Sequence, residues 1–243
     1  MAKLGDSGAV QFRTANGGTF HLAMSPLPPE LTAPWSNVMD FRPAVAQSTV
    51  GLADFRMSTG PIEVLEHTLK VISATERATW TQGGGHCLVV EAVSPTDGTS
   101  FVGAGWIGPW NVAYMLLYPP YDRLEDIQQR LSQISFIDTP EGLLVDSPKW
   151  DVGSSLRTYI RGEFAISIQP IIEAAGLVPR WSGLTVAAGE VWKVEPDEGD
   201  VDTYLMLASD SVLGCIVPFA KHKHDTLLRF VESIDTLQWT PPK

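Results

Sequence analysis

The chain is short of positive charge. Its 243 residues include 17 Lys and Arg against 28 Asp and Glu, a formal net charge of −11. A nucleic-acid backbone or an anionic membrane surface needs clustered cations, so neither is an expected partner. The same acidity also serves plain solubility. Long apolar runs are missing too. The longest strongly apolar stretch, "NVAYMLLYPP" (111–120), falls well short of the ~20 residues that span a bilayer as a helix. The opening "MAKLGDSGAV" has one Lys and no apolar run behind it, so no signal peptide is expected. Cysteine is scarce: Cys87 sits in "HCLVV" and Cys215 in "LGCIVPF". Both read as buried free thiols of a reducing compartment, with a single disulfide and export as the alternative. A cytoplasmic protein is the expectation.

Motifs that name a reaction are lacking as well. "GDSG" (5–8) mimics a serine-protease nucleophile, but no His or Asp precedes Ser7 in the required arrangement. "GAGWIG" (103–108) satisfies G-x-G-x-x-G, yet the strand-like "VAYMLLY" follows it where a dinucleotide site needs a helix to open. Its glycines are expected to allow a bulge or a close approach of strands. In "QGGGHC" (82–87), His86 and Cys87 are neighbours on a strand and point to opposite faces, so they cannot pair directly. "KHKHD" (221–225) offers His222 and His224 as a weak metal pair, against a solvated loop as the alternative. "EPDEGDVD" (195–202) lacks the alternation of a calcium loop and reads as a charged hairpin loop. No cofactor is expected, and no catalytic residues are assigned.

What is present is a pattern of strands and amphipathic helices. "NVMDFRPA" and "VGLADFRMS" read as strands, and Pro61 suits the start of a helix carrying Ile62, Leu65, Leu69 and Ile72 on one face. A strand interrupted by three glycines is expected at 78–93, then strands at 99–108 and 111–118. The next helix carries Leu124, Ile127, Leu131 and Ile134 on one stripe. In the second half, strands are expected at 163–170, 183–196, 203–210 and 212–219, with a closing helix from 224 or 225 to 237. The stripe 127, 131, 134 recurs at Leu227, Val231 and Ile234, and the order strand, strand, strand, helix occurs at 86–137 and again at 186–237. The expected fold is therefore α+β, with two tandem, pseudo-symmetric copies of an antiparallel sheet with covering helices, at 1–140 and 141–243.

"GTFHLAMSP", "VGLADFRMS" running into "PIEVLEHTLKVISA", then "HCLVVEAV", "FVGAGWIG", "NVAYMLLY" and "DRLEDIQQRLSQISF" together resemble the PsbP-like family, over about residues 15–138 and more loosely 160–239. The resemblance implies a binding or accessory role without a shared catalytic apparatus. The chain departs from the lipoprotein members in having no lipobox cysteine.

Tryptophan is plentiful, with eight in the chain. "GPWN" (108–111) fits a β-turn with Pro second, placing Trp110 at a hairpin tip near Trp106, Tyr118 and Tyr121. Such a cluster suits an interface anchor, unless Trp110 folds back on its own sheet. The expected function is a non-enzymatic, protein-binding accessory component, acting on another protein or by self-association. A structural subunit of a phage or secretion-type particle, or an enzyme with a dispersed site, are the alternatives.

Overall fold

The computed structural model describes residues 3–5, 8–33, 35–43, 55–71, 73–94, 96–117, 123–160, 162–195, 203–219 and 224–243. The chain folds as two compact units: a split unit of residues 1–36 and 154–243, and a central unit of residues 37–153. It opens with β1 (Lys3–Gly5), β2 (Ala9–Arg13) and β3 (Thr19–Met24), which belong to the split unit.

The central unit then runs β4 (Ser36–Pro43), β5 (Phe55–Pro61), α1 (Ile62–Val71), β6 (Thr75–Gln82), β7 (Gly85–Val93), β8 (Ser100–Ile107), β9 (Asn111–Leu117), α2 (Leu124–Leu131), β10 (Ser135–Thr139) and β11 (Gly142–Asp146). Its antiparallel strands lie in the order β4-β5-β9-β8-β7-β6. Pro61 ends β5 because it has no N–H for a further ladder bond, and its fixed φ leads into α1. Gly83 and Gly84 adopt positive φ, the conformation a two-residue hairpin needs between Gln82 and Gly85.

β12 (Trp150–Ile160) carries the chain into the split unit. There follow β13 (Phe164–Pro170), α3 (Ile171–Ala174), β14 (Leu184–Val186), β15 (Gly189–Val194), β16 (Tyr204–Ala208), β17 (Val212–Pro218), α4 (His224–Glu232) and β18 (Ile234–Thr240). The strand order is β12-β13-β17-β16-β15-β14, all antiparallel. Leu205 and Leu207 of β16 enter the core that holds Leu227 and Val231 of α4. Met206 and Ala208, pointing the other way, pack with Ala174 of α3.

This order is that of the central unit with every strand number raised by eight. Registers agree as well. Gly105 pairs with Tyr114 in one unit and Met206 with Cys215 in the other. Pro61 pairs with Asn111, and Pro170 with Val212. The turn after β8 is closed by Gly108 N–H donating to Asn111 C=O at 2.9 Å; after β16, Ser209 N–H donates to Val212 C=O at 2.9 Å. The strand that follows each second helix pairs differently along the chain. β10 pairs with β11, the next strand, whereas β18 pairs with β3, from the N-terminus.

The expected α+β class is corrected: the protein is mostly β. Helix covers about 15% of it, and the longest α-helix has ten residues. The difference comes from strands read as something else. The closing helix expected to reach 237 stops at Glu232, and Ile234–Thr240 is a strand. The helical stripe ends at Ile234, where the seam of buried residues is complete. Beyond it the buried residue is Leu237 and the neighbours are exposed or half-buried, the rhythm of a strand with one buried face. Ser135–Thr139 repeats this after α2. The glycine-interrupted strand at 78–93 is two strands joined by a turn. The copies were expected to divide near 140; the compact units change at 36/37 and 153/154.

Candidate functional site

Of the four aromatic residues expected at the hairpin tip of the central unit, the structure describes Trp106 and Trp110, and of these two Trp110 alone is exposed. Trp106 is fully buried and offers no surface to a partner. From Phe101 to Ile107 β8 is covered on both faces, so these residues are buried whichever way they point. The Trp106 indole N–H donates to the Gln82 carbonyl at 2.8 Å. Its ring stacks on Phe136 at 4.8 Å with 10° between planes. Trp110 is half exposed, at 49%. Its backbone N–H donates to Asp138 Oδ2 at 2.9 Å, and Asn111 N–H does so at 3.3 Å. Asn111 Nδ2 donates to Asp138 Oδ1 at 2.6 Å and to the Thr139 carbonyl at 2.8 Å. One carboxylate on β10 thus pins the turn that displays Trp110. Tyr118 and Tyr121 lie outside the described residues, as does His222; His224 begins α4, and its side chain is likewise outside the description.

The other sequence candidates resolve simply. Among the described residues no group of three or more His, Cys, Asp or Glu is placed to hold a metal ion. Cys87 and Cys215 are free thiols. Burial pushes Cys87 up to about 12 and Cys215 up to about 11, the latter against a small opposing effect of Arg157. Both are thiols at neutral pH and poor nucleophiles. The glycines of "GAGWIG" allow close packing. A Cβ at Gly105 would stand 2.6 Å from the Ala113 carbonyl oxygen, and one at Gly103 would stand 2.9 Å from Val90 Cγ2.

A site that sequence reasoning missed lies in the split unit. The β14–β15 turn, the β16–β17 turn and residues 235–240 of β18 line an open groove of about 750 Å³, a size in the range of binding clefts. Its lining includes Glu190, Asp210 and Asp235, with no Lys, Arg or His among the described residues. Glu190 Oε1 accepts from the Gly183 N–H, which holds that carboxylate in place. Trp239 N–H donates to Ser211 Oγ at 2.9 Å and ties β18 to the turn.

The corresponding space in the central unit is full, and the reason is residue by residue. The shared registers make Leu207 the counterpart of Trp106, Val186 of Gln82 and Val212 of Asn111, and Leu237 is buried in β18 as Phe136 is in β10. The Trp106 ring reaches from Gly85 to Gly108, and a Cβ at either glycine would collide with it. Gln82 Nε2 adds bonds to the Leu131 carbonyl at 2.6 Å and the Ile134 carbonyl at 3.1 Å. Leu207 cannot span that distance, and the two valine side chains have no donors. Aligning the halves at the registers above would have exposed the Trp106–Leu207 exchange, but a constant offset of 100 sets Trp106 against Met206 and hides it.

No family model, curated protein or solved structure matches this chain.

Proposed function

We propose that the protein is a non-enzymatic accessory component that binds another protein, and that the split-unit groove receives part of that partner. One observation carries the reading. The same topology is closed by its own side chains in the central unit and left open, with an acidic lining, in the split unit. An opening of this size, with polar groups around it, favours a ligand over a packing defect. Trp110 adds a second contact: a large side chain with few rotors on a turn fixed by Asp138. The PsbP-like resemblance supports the same kind of role. Trp106 is no longer part of the proposed surface, since it is core.

The test is affinity capture from the native host with quantitative mass spectrometry, comparing the wild type with Ala187→Trp. Ala187 is exposed and lines the groove, so the new ring fills the opening without entering the core. The proposal requires at least one protein partner to be lost from the variant while its thermal melt is unchanged. An identical partner set in both would overturn it. Light scattering on the same samples separates capture of a partner from self-association.

A further inference from the structure

We infer that the groove takes an extended, Lys- or Arg-bearing segment of the partner, which adds as a strand to the outer edge of β18. The inference rests on the reading of the groove as a partner site. β18 is the terminal strand of its sheet, in the order β1-β2-β3-β18, and residues 235–240 all line the groove. The Trp239 N–H leaves the β3 side and donates to Ser211 Oγ. In an antiparallel strand the backbone groups of alternate residues share one edge. Leu237, two residues earlier, therefore presents its N–H and C=O along the groove. An edge of this kind is a template for an added strand, and its main-chain bonds give affinity without fixing sequence.

In the central unit side-chain donors meet carbonyls at the two ends of β10. Asn111 Nδ2 reaches the Thr139 carbonyl at 2.8 Å, and Gln82 Nε2 reaches the Ile134 carbonyl at 3.1 Å. Val212 and Val186 stand in their places in the split unit, and their side chains donate nothing. A partner backbone would supply N–H groups there. The side chains of that segment meet Glu190, Asp210 and Asp235, with no cation among the described lining residues. Alternate positions of the added strand point to one face, so basic residues are expected at every second position.

The experiment selects displayed random dodecapeptides on the full chain and measures the winners by fluorescence anisotropy. Winners should carry Lys or Arg at alternate positions. Asp210→Asn with Asp235→Asn, both exposed positions, should weaken them at least fivefold. N-methylation of alternate peptide amides should abolish binding, and Ala187→Trp or Gln238→Trp should block it. Winners that either groove variant blocks, but that lack basic residues or tolerate N-methylation, would overturn this inference and leave the groove reading standing. Selection of no peptide that these variants block would overturn both.

Discussion

The Trp106 and Phe136 rings lie nearly parallel, 4.8 Å apart, and together they seal the part of the central unit that the split unit leaves open. Trp106→Ala removes the ring and frees the Gln82 carbonyl that its N–H satisfies. Truncating a buried Trp costs about 3–5 kcal/mol. Urea unfolding should show a loss of that order. A loss below about 1 kcal/mol would mean the ring is not packed as a plug.

Asp138 holds the Trp110 turn through three donors. Asp138→Ala leaves those donors to find water or go unmet, at a cost of about 1–3 kcal/mol. The amides of Trp110 and Asn111 should exchange with solvent faster, while the Gly108 amide, bonded to Asn111 C=O, should change less. Equal acceleration at all three would show that Asp138 does not single out this turn.

Glycine positions give a sharper contrast. Gly189 has φ +148, and a Cβ there would run into the Ala208 carbonyl. Gly176 has ordinary φ and open space around its Cβ position. Gly189→Ala should therefore destabilise by more than ~1 kcal/mol, whereas Gly176→Ala should be neutral or stabilise by up to ~1 kcal/mol through the unfolded chain. Melting temperatures of the two variants decide it; the reverse ranking would sink the assignment of Gly189 to the tight start of β15.

The cysteines set a direction for pH dependence. An ordinary thiol loses its proton near pH 9.0, while burial holds the folded Cys87 proton to about 12 and that of Cys215 to about 11. Above pH 9 the folded state keeps protons that the unfolded state releases, so stability must fall as pH rises. The contribution is complete below pH 9 and is lost up to the folded values. Cys87→Ala should flatten this decline between pH 9 and 11. A decline as steep in the variant as in the wild type would place its cause elsewhere.

Local periodicity was enough to read the helical seams, since Ile127, Leu131 and Ile134 and their counterparts Leu227, Val231 and Ile234 are all buried. The hairpin around Gly108–Trp110 was legible for a similar reason: its turn chemistry is local. The strands after α2 and α4 were not, because a short alternating run beside an amphipathic helix continues the helical pattern. Trp106 misled for a deeper reason. A Trp on a strand is core or surface according to what covers that face, and here the cover is Phe136 from a strand 30 positions on. The groove depends on two such long-range comparisons at once, so no local motif marks it.

The pairing of β18 with β3 carries the last prediction. β3 buries Phe20, Leu22 and Met24 in the split-unit core, and β18 pairs with it from Ile234 to Thr240. In the central unit the equivalent bond ladder, β10 with β11, comes from neighbouring chain. A chain beginning at residue 36 keeps the second ladder and loses the first. Removing three large buried side chains and a strand partner costs about as much as one compact unit typically holds in reserve, about 5–15 kcal/mol. Hydrogen exchange of the shortened chain should show protection lost across 224–240 and retained across 135–146. Protection kept at 234–240 without β3 would mean that β18 is stabilised by α4 and the groove turns alone, and that the N-terminal strands are an accessory layer.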